Sequence, residues 1–228
     1  MRPTAAGGKF RCEGTLEREL RARGFHAVAG IDEAGRGSLF GPVFAAAVIL
    51  SPERPIRGLN DSKQLAAERR EVLAERIRER AVAWAVRAVD AATIDAVNIY
   101  QASRMAMRLA VGRLNPAPDF LLVDAVPLEL NVPQRPLIKG DARCHAIAAA
   151  SILAKTHRDA CMRAWDEIFP GYGLAAHKGY STPEHYRALE TLGPTPLHRL
   201  SFEPVRAHCL FPLDATPQME LFEGVGAA

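Results

Sequence analysis

Three short apolar runs, each carrying an acidic residue at its end, constrain the fold of this chain more than any other feature. They are AVAGID (27–32), DFLLVDA (119–125) and PLIKGD (136–141). Apolar runs of this length are typical of buried strands. Glu33 follows Asp32 directly, so the three predicted strand ends present four carboxylates: Asp32, Glu33, Asp124 and Asp141.

Helical patterns alternate with these runs. A second strand is predicted at 43–50 and a third at 81–90, and helices are predicted at 61–80 and 91–114. The segment 136–169 predicts a short strand followed by a long alanine-rich helix. Strands separated by helices predict an α/β fold, in which helices pack on a mixed β-sheet.

The organisation predicts one domain with short extensions. We expect a flexible leader over 1–14, a domain over 15–210 and a flexible tail over 211–228, where core periodicity is absent. A chain of 228 residues with 48% hydrophobic and 24% charged residues suits a single globular domain. The net charge of +3 permits a nucleic-acid partner without arguing for one.

Several features predict a cytoplasmic protein without a membrane segment. The N-terminus has no apolar core of a signal peptide, and no apolar stretch is long enough to span a bilayer. The four cysteines form no CxxC pair and have no zinc-like spacing, so we expect free thiols in a reducing compartment.

Four carboxylates at strand ends suggest a metal site. A single acid often ends a strand only because loops are polar, but several close together repel and raise each other's pKa. A cation relieves that repulsion, and oxygen ligands without His or Cys suit Mg²⁺ or Mn²⁺. Two such ions are a common device for phosphodiester hydrolysis. Spacing alone does not establish that the strand ends converge.

Two further segments are candidates for nucleic-acid contact. Gly35, Arg36 and Gly37 directly follow the first acids; they predict either a tight turn or a bare backbone platform for a sugar or phosphate. Tyr180 lies in the polar segment HKGYSTPEHY and predicts either a stacking residue for a nucleotide or a cap over a loop.

The segment DSK at 61–63 is ambiguous in the same way. Ser62, Lys63 and the helix that begins there could contact a backbone phosphate. Asp61 could equally cap a helix whose lysine is solvated. The segment GPTPLHRLSF contains His198 and Arg199. The sequence does not distinguish a structural from a functional role for either residue.

Together these segments resemble bacterial ribonuclease HII. The matching pieces occur in the family's order and cover roughly residues 25–204: GIDEAGRGSLFGPV, LNDSKQL, LLVDA, IKGDARCHAIAAASILAKTHRD, HKGYST and GPTPLHRLSF. The combination of DEAGRG with KGD and AAASILAK is far more specific than any single motif.

The resemblance implies a ribonuclease H-like fold with a C-terminal helical portion. It implies a metal-dependent endonuclease that cleaves the RNA strand of RNA–DNA hybrids. It further implies incision on the 5′ side of single ribonucleotides in duplex DNA, leaving 3′-hydroxyl and 5′-phosphate ends, as in ribonucleotide removal from DNA. We also expect the protein to be a monomer.

The resemblance also implies roles for individual residues. Asp32, Glu33, Asp124 and Asp141 match the metal-binding carboxylates. Gly35, Arg36 and Gly37 would read the 2′-hydroxyl and the adjoining phosphate, Tyr180 would pack on the sugar, and Ser62 and Lys63 would contact phosphates. Four residues depart from the family's pattern and put fine substrate preference in doubt: Ser38, Phe40, Cys144 and His145.

The tail contains QMELF, from Gln218 to Phe222. It resembles the Gln-x-x-Leu-Phe peptides that dock on the bacterial DNA sliding clamp, so the clamp is an expected partner. A coincidental match of five loosely defined residues is the alternative.

Two other functions stay open on sequence alone. One is a hybrid-only ribonuclease or another nuclease of the same fold, against which Tyr180 and the Gly-Arg-Gly segment argue. The other is a non-catalytic RNA–DNA hybrid-binding module, which would be expected to lack one of the carboxylates.

Overall fold

A computed structural model describes residues 12–209 of the chain. The tail motif at 218–222 and most of the predicted leader lie outside these residues. Within them, no helix is both long and apolar enough to cross a membrane. All four cysteines are free thiols.

A five-stranded mixed sheet forms the centre of the fold. Its strands are β1 (Val28–Ala34), β2 (Val43–Ile49), β3 (Ala83–Val89), β4 (Phe120–Asp124) and β5 (Gln134–Leu137), in the spatial order β3-β2-β1-β4-β5. The first three strands are antiparallel neighbours, whereas β4 and β5 run parallel to β1. The three parallel strands therefore end at the same edge of the sheet.

Helices cover both faces of the sheet. They are α1 (Thr15–Ala22), α2 (Ala67–Arg80), α3 (Ala91–Val97), α4 (Ile99–Val111), α5 (His145–Ile168), α6 (Leu174–His177), α7 (Pro183–Leu192) and α8 (Glu203–Arg206). One face packs on α3 and α4, and the other on α2 and α5. Two short 3₁₀ turns, Ser62–Gln64 and Gly140–Ala142, precede α2 and α5.

The predicted helix at 91–114 is wrong in one respect, because it is two helices. Asn98 adopts φ of 69° and its side chain accepts a hydrogen bond from the backbone N–H of Gln101, which begins α4. Asparagine tolerates this left-handed backbone and caps helices well. The apolar periodicity continues across the break and so conceals it.

The helix α5 lies unusually close to β1. Its buried face is rich in alanine, including Ala148, Ala149 and Ala150. At Gly30 a Cβ atom would lie 2.1 Å from the backbone carbon of Ala146. Only glycine in the strand and small residues in the helix allow this approach, which fixes α5 against the strand that carries Asp32 and Glu33.

Candidate active site

The parallel strands bring the predicted carboxylates to one edge of the sheet. Asp32 and Glu33 lie near the end of β1, and Asp124 is the last residue of its parallel neighbour β4. Asp141 lies in the 3₁₀ turn that follows β5. We call these four residues the carboxylate cluster. In sheets of this kind, ligands bind outside the carboxyl ends of the strands.

Burial raises the pKa of each carboxyl in the cluster, and the charge of Asp124 further raises those of Asp32, Glu33 and Asp141. For Asp32, burial is the larger cause, followed by the charges of Glu33 and Asp124, and its pKa lies well above the usual value. Burial and then Asp61 and Asp124 raise the pKa of Asp141 to about 6. Asp124 is thus close enough to each of the other three side chains to oppose their ionisation.

Each aspartate of the cluster is also fixed by a backbone N–H group. Glu33 donates to Oδ1 of Asp32 at 2.7 Å, Gly140 to Oδ1 of Asp124 at 2.7 Å, and Ala142 to Oδ1 of Asp141 at 2.8 Å. Glu33 itself pairs with Arg36 at 3.5 Å. These bonds orient the carboxylates without a cation.

The donor set fits a divalent cation. Within residues 12–209, no three His, Cys, Asp or Glu side chains form a ready-made metal-holding group. The cluster nevertheless offers only hard oxygen donors, and the raised pKa values show a charge repulsion that a cation would relieve. Oxygen-only donor sets of this kind suit Mg²⁺ or Mn²⁺.

The two glycines of the Gly-Arg-Gly segment have different structural requirements. Gly35 has φ of +97°, and a Cβ atom there would lie 2.1 Å from Nε of Arg158. At Gly37 a Cβ atom would meet nothing within 4 Å. The segment, which we call the glycine turn (35–37), therefore needs glycine at 35 to fold, whereas the structure itself makes no such demand at 37.

Arg199 holds the backbone of the glycine turn in place through hydrogen bonds. Its guanidinium donates to the carbonyl oxygens of Gly35 and Arg36, both at 2.8 Å, and its Nε donates to the carbonyl of Gly41 at 2.9 Å. The side chain is fully buried. The ambiguity that the sequence left about Arg199 is resolved here: it fixes the backbone of the turn.

Tyr180 lies beside the glycine turn. Ser38, the residue after the turn, forms an isolated antiparallel bridge with Tyr180, and the backbone N–H of Leu39 donates to the carbonyl of Gly179 at 2.8 Å. The Tyr180 ring has the Arg158 guanidinium 5.1 Å and the Lys155 ammonium 5.6 Å from its centroid. The structure thus brings together two segments that are far apart in sequence.

Arg158 is a residue that sequence reasoning missed. It is fully buried, and its Nη2 donates to Oγ of Ser38 at 2.6 Å. Its Nε and Nη1 have no hydrogen-bond partner among the described residues. A buried guanidinium with unsatisfied N–H groups is unusual, because each costs free energy. The only signal in the sequence was an arginine inside the alanine-rich helix.

Three histidines behind Tyr180 form a second missed feature. In this histidine cluster, His185 and His198 face each other with their Nε2 atoms 3.1 Å apart, and His177 stacks on His185 at 4.5 Å. Nδ1 of His185 is 3.0 Å from the Tyr180 carbonyl. Burial and then the neighbouring His185 lower the pKa of His198 to about 3, so the imidazole is neutral at pH 7.

The DSK segment lies at the edge of the cluster. Burial lowers the pKa of Lys63, but the charges of Asp32, Asp61 and Asp141 outweigh it and the net shift is upward. Asp61 caps the 3₁₀ turn by accepting the Lys63 N–H at 2.9 Å. The Ser62 hydroxyl is buried and bonds to the hydroxyl of Ser151 at 2.9 Å, so it faces the interior.

The four departures from the family pattern all have structural partners. Ser38 accepts the Arg158 bond, and Phe40 packs edge-on against Trp165 and His198. Cys144 is buried at the start of α5, where its thiol donates to Glu17 at 3.3 Å. His145 lines a cavity beside α1.

Known proteins match the part of the chain that contains these residues. The family model described as Ribonuclease HII matches residues 29–205. A Ribonuclease HII from Solibacter usitatus (strain Ellin6076) is 79% identical over 228 residues, which are 100% of both chains.

Two solved structures have the same fold. An RNase HII from Archaeoglobus fulgidus, in a complex with PCNA, superposes with a TM-score of 0.67 at 28% identity, over 79% of this chain and 96% of that one. Bst-RNase HIII in complex with Mn²⁺ gives a TM-score of 0.63 at 21% identity, over 83% of this chain and 71% of that one. The expected ribonuclease H-like α/β fold is confirmed.

Proposed function

Since the chain belongs to the ribonuclease HII family and is an RNA–DNA hybrid endoribonuclease of type 2, we propose that it also incises DNA at single ribonucleotides. In this proposal the enzyme depends on Mg²⁺ or Mn²⁺, cuts 5′ of the ribonucleotide and leaves 3′-hydroxyl and 5′-phosphate ends. Its role is ribonucleotide removal from DNA. The alternative of a non-catalytic hybrid-binding module fails, because the family is one of endonucleases.

One observation carries the proposal. A cluster of carboxylates with raised pKa values lies at the strand ends, and a glycine turn fixed against Arg158 and Tyr180 lies directly beside it. The first part suits phosphodiester hydrolysis, and the second suits recognition of one sugar. A hydrolase without the second part would have no means of testing for a single 2′-hydroxyl.

The carboxylate cluster would hold the metal. Asp32, Glu33, Asp124 and Asp141 supply oxygen ligands, oriented by the backbone N–H bonds described above. Bound divalent ions lower the pKa of an attacking water and stabilise the leaving oxygen. Mn²⁺ bound to the structurally similar Bst-RNase HIII is consistent with this choice of ion.

The glycine turn and Tyr180 would read the sugar. Because Gly37 presents no side chain and nothing fills the space beside it, a ribose can approach the backbone there. Arg36, which is the exposed member of its pair with Glu33, would bind the adjoining phosphate. Tyr180, its ring held against two cations, would pack on the sugar.

Lys63 would support the phosphate near the cluster, because the surrounding acids keep it charged. Ser62 would contribute through its backbone, since its hydroxyl bonds to Ser151. We also propose that the enzyme acts as a monomer in the cytoplasm. Docking on the DNA sliding clamp through Gln218–Phe222 is a separate proposal; the complex of the A. fulgidus relative with PCNA shows that a member of this family assembles with a protein partner.

The decisive experiment uses a DNA duplex with one ribonucleotide, in Mg²⁺ or in Mn²⁺. We expect one nick on the 5′ side of the ribonucleotide, no cut in an all-DNA duplex, and no nick with Asp124→Asn. Cleavage of a continuous RNA–DNA hybrid without a nick at the single ribonucleotide would identify a hybrid-only ribonuclease instead. A peptide of residues 211–228 tested against purified clamp examines the tail; absence of binding removes that partner.

A further inference from the structure

A concave surface lies between α1 and the residues that lead to the DSK segment. It is a cavity of about 500 Å³ between α1, the loop after β2 and the first residue of α5. Four arginines and a histidine line it: Arg18, Arg21, Arg54, Arg57 and His145. We call this surface the arginine groove.

Among the described residues, the charges of the groove arginines are not compensated by acidic side chains. Within residues 12–209 none of the four forms an ion pair, and Arg18 and Arg21 bond instead to the Thr15 hydroxyl and the Leu50 carbonyl. By contrast, Arg163 pairs with Glu71 on the surface. The positive charge of the groove is therefore left for a ligand.

The one carboxylate among the described lining residues, that of Glu17, bonds to α5 and forms no ion pair with the arginines. Oε1 of Glu17 accepts the backbone N–H of Ala146 at 2.8 Å and the thiol of Cys144. Glu17 is buried, and its carboxylate accepts a hydrogen bond from the first turn of α5. Arg54 and Arg57, on the loop, are exposed. A ligand that enters the groove meets guanidinium groups first.

One end of the groove, at His145 and Leu59, lies near the cleavage site. His145 follows Asp141 by four residues, which limits their separation to about 14 Å, and Leu59 precedes Asp61 by two. Each strand of a duplex carries a phosphate for about every 3.4 Å of helix axis. A strand whose scissile phosphate lies at the carboxylate cluster therefore has other phosphates at the distance of the groove.

We propose that the arginine groove binds the sugar–phosphate backbone of the substrate duplex more than two and up to about seven nucleotides from the scissile bond. The inference rests on the proposed function and adds to it a second contact with the same substrate. Guanidinium groups bind phosphate bidentately. The groove would also offset the repulsion between the carboxylate cluster and a polyanion.

The test compares a double variant, Arg54→Ala/Arg57→Ala, with a control of equal charge change, Arg113→Ala/Arg163→Ala. Both control arginines are exposed and lie outside the groove. Binding is measured by fluorescence anisotropy in EDTA, so that the substrate stays intact. The probes are duplexes with one ribonucleotide and flanks of either two or twelve base pairs, with the long flank on the 5′ side, the 3′ side or both.

We expect the groove variant to bind the long duplexes about tenfold more weakly than the wild type, with the loss confined to one flank. The slope of log K against log salt should become shallower by about two, since each lost phosphate contact removes about 0.9. When the flank on that side is only two base pairs long, the groove variant and the wild type should bind equally. The control variant should follow the wild type throughout.

Three results would overturn the proposal: no change in binding, a loss independent of flank length, or the same loss in the control. No change would also leave an acidic protein as the better ligand for the groove. Incision of the single-ribonucleotide duplex by the wild-type enzyme is scored separately. Failure there removes the proposed function, whereas failure of the flank comparison removes only the groove.

Discussion

The carboxylate cluster and the glycine turn are neighbours, but they are held in place by different means. Each aspartate of the cluster is oriented by a nearby strand end and a backbone N–H bond. The glycine turn is oriented by Arg158 and Arg199, which come from elements more than 100 residues away. The chemistry of the site thus depends on local structure, and its selectivity depends on tertiary packing.

The strongest test of this contrast is Asp32→Asn. Asparagine keeps the oxygen that accepts the Glu33 N–H but removes a charge that burial disfavours. We expect cleavage to fall by more than about 100-fold, since even residues that only support a metal ligand are worth about 10- to 100-fold. The melting temperature in EDTA should stay the same or rise. Asp166→Asn is the control, and a lower melting temperature for Asp32→Asn would contradict the account.

A pair of glycine substitutions separates folding from recognition. Gly35→Ala places a methyl group against Arg158 at a residue with left-handed backbone angles. We expect the free energy of unfolding to fall by about 1–3 kcal/mol and the activity to fall with it. Gly37→Ala has space for its methyl group, so its stability should match the wild type while incision at a ribonucleotide falls. Urea unfolding and initial rates measure the two effects. If Gly37→Ala keeps full activity, no sugar approaches the backbone at that position.

The histidine cluster should make stability fall in acid. The pKa of His198 is about 3 in the folded protein, below its ordinary value of 6.5, so the unfolded chain binds the proton more readily. Stability is complete above pH 6.5 and falls as the pH drops below it, by about 2 kcal/mol at pH 5. His198→Gln should flatten this slope in urea titrations, whereas His26→Gln, an exposed control, should not. His185 and Tyr172 contact His198, and His177 stacks on His185, so some slope will remain from His185.

The smallest effect expected is that of Tyr180→Phe. It keeps the ring between Arg158 and Lys155 and removes only the hydroxyl, which is worth about one hydrogen bond. We expect the ratio of kcat/KM for single ribonucleotides to that for continuous hybrids to fall by up to about tenfold. Tyr186→Phe in α7 should leave this ratio unchanged. Equal losses on both substrates would assign Tyr180 to general binding.

Features that depend on local structure could be predicted from the sequence, whereas features that depend on tertiary packing could not. The strands that carry Asp32 and Asp124 were predicted because an apolar run followed by an acid is a local signal, although β1 continues two residues past Asp32 to Ala34. Arg158 was missed because its role depends on Gly35, 123 residues earlier, and nothing in the local pattern connects the two. The buried Ser62 hydroxyl was missed for the same reason, since Ser151 is 89 residues away. The sequence placed His198 and Arg199 in a segment of interest but could not assign them.

The approach of β1 to α5 at Gly30 has a consequence for mutational tolerance. A single added methyl group would force the helix backbone to move by more than an ångström, because 2.1 Å is far below any real contact distance. Asp32 is two residues farther along that strand, so the displacement would reach it. In a saturation library selected for activity, Gly30 should therefore be depleted of substitutions as strongly as the acids, although it takes no part in the reaction. A site-by-site tolerance map of this enzyme will mark positions of close packing as well as positions of chemistry.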